Sequence, residues 1–165
     1  MSTSAYVLFE KGESVPLSVL FEKIKELCEK NNFCFANDGD EFNAEGKLKS
    51  TSVYVADKPF FEDDSKQIPW DIYDEPYDYC FQSLSFDWDP SDTEYFKAMI
   101  SGGFYEEEDF LFKLVYEVLK VYPKAKLKIC NNWFYTLEDL EKIAAMPYDN
   151  DWCYKNPKEL FGRNG

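Results

Sequence analysis

One segment constrains the fold of this chain more than any other: residues 106–122, whose apolar side chains run almost all the way round a helix. Phe110, Leu111, Phe112, Leu114, Val115, Tyr116, Val118, Leu119 and Val121 leave only Lys113, Glu117 and Lys120 as a thin polar stripe. A helix with so little wet surface must lie between other elements rather than on the outside of a domain. Pro123 ends it. Glu106, Glu107, Glu108 and Asp109 stand at its start, where the helix dipole favours negative charge.

The remaining chain must supply the layers. A first helix is expected from Val15-Pro16 to Asn31-Asn32, with Ser14 as its cap. Leu17, Leu20, Phe21, Ile24, Leu27 and Cys28 recur at the spacing of one buried face. Residues 5–9, 33–36, 51–56 and 126–130 read as short strands. Residues 79–88 read as the clearest strand, because Leu84, Phe86 and Trp88 alternate with Ser83, Ser85 and Asp87. A short helix is expected over 91–100, and Thr136-Leu137-Glu138-Asp139 opens a last helix as a capping box. The pattern predicts a single α+β domain over residues 1–165: a mixed or antiparallel sheet with helices packed on one face. Leu20, Ile24, Leu84, Phe86, Val115 and Leu119 are its expected shared core.

Composition then removes whole classes of function. With 32 acidic against 18 basic residues the chain carries −14, which disfavours gripping a phosphate backbone. Hydrophobic residues at 45% and aromatics at 19% are too many for a disordered acidic tail. The complete lack of His excludes Ser-His-Asp and Cys-His catalysis, His-ligated zinc and a His pH switch. The five Cys are spread out with no CxxC, as reduced thiols of a cytoplasmic protein would be. No signal peptide or membrane-spanning run is visible.

Local motifs add little chemistry. Residues 37–46 resemble a calcium loop in composition, but neither possible frame puts Gly sixth and Glu twelfth as such a loop requires. The segment is expected to be a solvated turn. Gly102-Gly103 lacks the spacing of a phosphate loop. No cofactor, metal site or catalytic residue is expected, and the chain is not expected to be an enzyme. A carboxylate-only hydrolase such as a glycosidase stands as an alternative, since its paired acids leave no spacing signature.

The charge is unevenly placed. Residues 57–109 hold sixteen acids against three lysines, a net of −13, and the rest is near neutral. Pro59, Pro69 and Pro76 argue for a long irregular loop over residues 57–78, where carboxylates interleave with large rings. Rings anchor a partner while charges steer it. Glu62, Asp63, Asp64, Trp70, Asp71, Tyr73, Asp74, Glu75, Tyr77 and Asp78 are therefore the candidate contacts for a basic protein partner. As anchors, Trp70 and Tyr73 are expected to be partly exposed. A DNA mimic is a further alternative, though mimicry needs carboxylates spread over an extended surface.

Residues 110–143 form a long apolar helix ending in Tyr122-Pro123, a strand, then Asn132-Trp133-Phe134-Tyr135-Thr136-Leu137-Glu138-Asp139-Leu140. This stretch, about a fifth of the chain, resembles the C-terminal part of small acidic bacterial proteins encoded beside polymorphic toxins, many of them immunity proteins. The resemblance implies binding and neutralisation of a toxin domain, for instance a nuclease. It assigns no individual residues.

Overall fold

A computed structural model describes residues 3–75 and 82–161. In chain order the elements are β1 (Tyr6–Glu10), α1 (Leu17–Lys30), β2 (Cys34–Phe42), β3 (Leu48–Ala56), β4 (Gln67–Tyr73), β5 (Ser83–Leu84), β6 (Tyr95–Ser101), α2 (Glu108–Val121), β7 (Lys126–Lys128), α3 (Leu137–Ala144) and α4 (Pro157–Phe161). The strands form one antiparallel sheet in the order β2-β3-β4-β6-β1-β7, with β5 paired to β6. This is the α+β architecture expected from the sequence. No described helix is long and apolar enough to cross a membrane.

Alternation along the strands decides which face meets the helices. Val53 and Val55 of β3, Ile68, Trp70 and Ile72 of β4, Val7 and Phe9 of β1, and Leu127 of β7 all point inward and join one core. Against them lie Leu17, Leu20, Ile24, Leu27 and Cys28 of α1. Phe110, Leu111, Leu114, Val115, Val118 and Leu119 of α2 complete the layer. α3 begins with the expected capping box: Thr136 Oγ1 accepts the Asp139 N–H at 3.3 Å, and the Asp139 carboxylate accepts the Thr136 N–H at 2.9 Å.

Four local expectations are corrected. β6 occupies most of residues 91–100, where a helix was expected. It fills the central place between β4 and β1, and this tertiary demand outweighs the helix propensity of Lys97, Ala98 and Met99. β2 continues to Phe42 through irregular pairing at Asp38–Glu41, so the turn is confined to residues 43–47, where Asn43 Oδ1 accepts the N–H groups of Glu45 and Lys47. The expected strand over 79–88 is reduced to the two residues of β5; its first residues, 79–81, lie outside the described part. Leu84 and Phe86 do not join Leu20, Ile24, Val115 and Leu119 in the core. Instead Phe86 meets Trp88, Tyr95 and Phe134 in a ring cluster, with centroid distances of 5.0, 6.2 and 5.6 Å.

The fourth correction concerns the start of α1. Pro16 takes the cap position and Ser14 makes no cap bond. The Leu17 N–H is taken by the Asp74 carboxylate at 2.8 Å. A residue distant in sequence thus supplies the charge that the helix N-terminus favours.

Candidate functional surface

The helices leave the other face of the sheet open, and one row of paired residues crosses it. From the β2 edge to the β7 edge it reads Asp38, Ser52, Asp71, Ile100, Tyr6 and Lys128. Directly opposed residues in antiparallel strands project to the same side. The face is therefore polar and acidic over β2, β3 and β4, half-buried at Ile100 and Tyr6, and cationic over β7.

On the acidic half, neighbouring hydroxyls hold the carboxylates. Ser52 Oγ donates to Asp71 at 2.6 Å, Tyr54 OH to Asp38 at 3.1 Å, and Thr51 Oγ1 to Asp40 at 2.5 Å. The Asp38 carboxylate raises the Tyr54 phenol above its ordinary value, first by accepting its hydrogen bond and then by charge. Among the described residues none of these three aspartates makes an ion pair with a lysine, and all three are exposed.

The β3–β4 loop, residues 57–66, extends from this half. Asp57 closes it by exchanging backbone bonds with Lys66 and accepting the Lys66 N–H on its carboxylate. A Lys58–Asp64 ion pair spans it, and this pair lowers the Asp64 carboxyl from its ordinary value. At the tip, Glu62 and Asp63 face solvent, and Phe61 is 86% exposed. A ring this bare costs solvation and contributes nothing to the fold.

The candidate contacts expected from the sequence separate into three groups. Glu62, Asp63, Asp64 and Asp71 are exposed beside or on the acidic half. Trp70, Asp74 and Glu75 are corrected to structural roles. Trp70 is 1% exposed, because residues 67–73 form a strand rather than a loop and its position in the alternation points inward. Asp74, at 5% exposure, holds the α1 N-terminus and pairs with Lys47 at 3.0 Å. Both Glu75 oxygens accept the Gly12 N–H at 3.0 Å, fixing a turn where Gly12 has φ of +87°. Tyr73 is half-buried against the core. Tyr77 and Asp78 lie outside the described residues.

Sequence reading missed Asp38, Asp40 and Tyr54. The signal was present: Val53 and Val55 were assigned to one face of their strand, which already put Ser52 and Tyr54 on the other.

The cationic half is built differently. Lys97 Nζ lies 4.9 Å and Lys128 Nζ 5.9 Å from the centroid of the same Tyr6 ring. Lys126 Nζ sits 4.9 Å from the Phe134 ring and donates to Tyr95 OH at 3.0 Å. Leu8 and Tyr95, each 1% exposed, form the floor. None of the three lysines makes an ion pair among the described residues, although eight other lysines do. Burial lowers both Lys97 and Lys128 from the ordinary lysine value, and the charge of Lys128 lowers Lys97 further.

Elsewhere the residues with chemical potential serve the fold. Burial, then the neighbouring Cys34 and Glu29, pushes the Cys28 thiol up to about 12, far from a thiolate nucleophile at neutral pH. Tyr135, in the Tyr-Thr step before α3, exchanges both backbone bonds with Leu127 at 2.9 and 2.8 Å, which covers the outer edge of β7. Its hydroxyl donates toward the carbonyls of Trp152 and Lys155 at 3.0 and 2.8 Å. A groove of about 780 Å³ runs between Glu10, Glu13 and Val15 on one side and Tyr122, Lys124 and Lys126 on the other. Among the described residues no three His, Cys, Asp or Glu side chains converge as a metal set.

Comparison of the chain with family models, curated proteins and solved structures found no match.

Proposed function

We propose that this protein is a binding module of the immunity type, whose acidic sheet half and β3–β4 loop cover a basic protein partner such as a toxin nuclease. The observation that carries the reading is the pairing of unneutralised, exposed carboxylates at Asp38, Asp40 and Asp71 with a bare ring at Phe61 on the adjoining loop. Charges of this kind steer encounter with a basic surface, and a ring at the centre of a contact supplies most of the holding energy. The outer edge of β2 is free to accept an added strand, since β2 ends the sheet and pairs only with β3. A nuclease cleft lined with cations is complementary in sign to this half. Inhibiting a toxin made in the same cell places the protein in the cytoplasm.

The test is a binding titration against the basic product of a neighbouring toxin gene. A complex that weakens steeply with salt is expected. Phe61→Ala should weaken it by about 2 kcal/mol, roughly 30-fold, while folding is unchanged. No binding at low salt, or binding indifferent to Phe61, rejects the reading.

A further inference from the structure

The row across the open face is antisymmetric in charge, and this makes the face complementary to itself. A two-fold axis lying along the strands, above the boundary between β4 and β6, exchanges β2 with β7, β3 with β1 and β4 with β6. A second chain placed by that axis sets its Lys128 over Asp38 and its Tyr6 over Ser52. It also brings Asp71 over the strand that carries Lys97. Both copies make the same contacts, which is the requirement of a closed two-fold interface.

We infer that the open sheet face is a self-association surface, through which two copies of this chain pack face to face with the lysine half of each on the acidic half of the other. Lys97 and Lys128 flank one tyrosine ring, have no carboxylate partner among the described residues, and belong to a chain with 32 acids. A second copy supplies the missing carboxylates at the position that symmetry dictates. Stacked sheets lie about 10 Å apart, a distance that Lys and Asp side chains span from the two sides. Five strand spacings make the face roughly 24 Å wide, and five to seven residues make it roughly 20 Å long. About 1,000 Å² is then buried in total, at the lower limit for a specific contact. Such a dimer is weak, and salt dissociates it, because the net charge of each copy is −14 and only the local pairs attract. The inference is independent of the proposed partner, which would compete with the second copy for the acidic half.

Sedimentation velocity on the full chain tests this at two salt concentrations, over protein concentrations up to about 100 μM. At low salt a monomer–dimer equilibrium is expected that weakens at least tenfold at high salt. Lys97→Glu with Lys128→Glu should be monomeric, and so should Asp38→Lys with Asp71→Lys. Mixing the two variants should restore a dimer, because the reversed charges then face each other. Lys97→Gln with Lys128→Gln, a milder change, serves if the charge reversal unfolds the chain, with circular dichroism as the control. A wild-type chain that stays monomeric at low salt overturns the inference. So does a dimer that both variants retain, or a mixture that remains monomeric.

Discussion

The two halves of the open sheet face handle charge in opposite ways. Over β2–β4 the carboxylates stand in water, held only by hydroxyls, above a floor of fully buried side chains led by Trp70. Over β6–β1–β7 the lysines lie half-buried across aromatic rings, and burial already disfavours their charge. An exposed carboxylate costs the fold almost nothing and stays available, whereas a shielded lysine without a counter-charge holds unfavourable energy that an arriving anion releases. The acidic half is thus suited to capture at long range and the lysine half to a close, fitted contact.

Four measurements break or sharpen this contrast, the largest effect first. Trp70→Ala should cost about 3–5 kcal/mol in urea unfolding, because it empties the floor of the acidic half. A loss under about 1 kcal/mol would return the ring to the surface. Leu8→Ala, in the floor of the lysine half, should cost about 2–4 kcal/mol. A negligible loss there would show that the lysines are not built on a packed base.

Asp74→Ala should follow at about 2 kcal/mol, since it uncaps α1 and leaves Lys47 alone. Asp71→Ala, three residues away but solvated, should cost less than about 0.5 kcal/mol. Equal costs would erase the distinction between structural and available acids.

The smallest effect is a pH dependence. Burial and the charge of Lys128 hold Lys97 below the ordinary 10.5. The folded chain therefore releases this proton at a pH where the unfolded chain still binds it. Between the lowered value and 10.5 the unfolded state carries more protons, so stability contributed by this site rises with pH. At a salt concentration that keeps the chain monomeric, Lys97→Gln should flatten that rise relative to the wild type. Parallel curves would mean that Lys97 is freely hydrated.

Much of the fold was legible, for physical reasons that also explain the failures. α1, α2 and α3 announce themselves through periodicity, a terminating proline and a capping box, all of them local. β4 and β6 do not, because Pro69 sits in β4 and helix formers in β6. Only their neighbours in the sheet make them strands. The acidic site was legible in composition but not in place. Of the acids in one stretch of sequence, Asp74 caps a helix, Glu75 fixes a turn and Glu108 is buried under Tyr154. Asp71 alone reaches the row, where Asp38 joins it from a segment read as a turn. Two-residue alternation tells which side a side chain takes, but strand order, which decides its neighbours, is not a local property.

The most direct test of a polarised working face is an NMR titration of the labelled chain with an oligo-arginine peptide at low salt. Shifts are expected to concentrate on Asp38, Ser52, Tyr54, Asp71 and the 60–64 tip, and to spare Tyr6, Lys97 and Lys128. Shifts centred instead on the acids at the start of α2, or spread evenly over all carboxylates, would contradict the account.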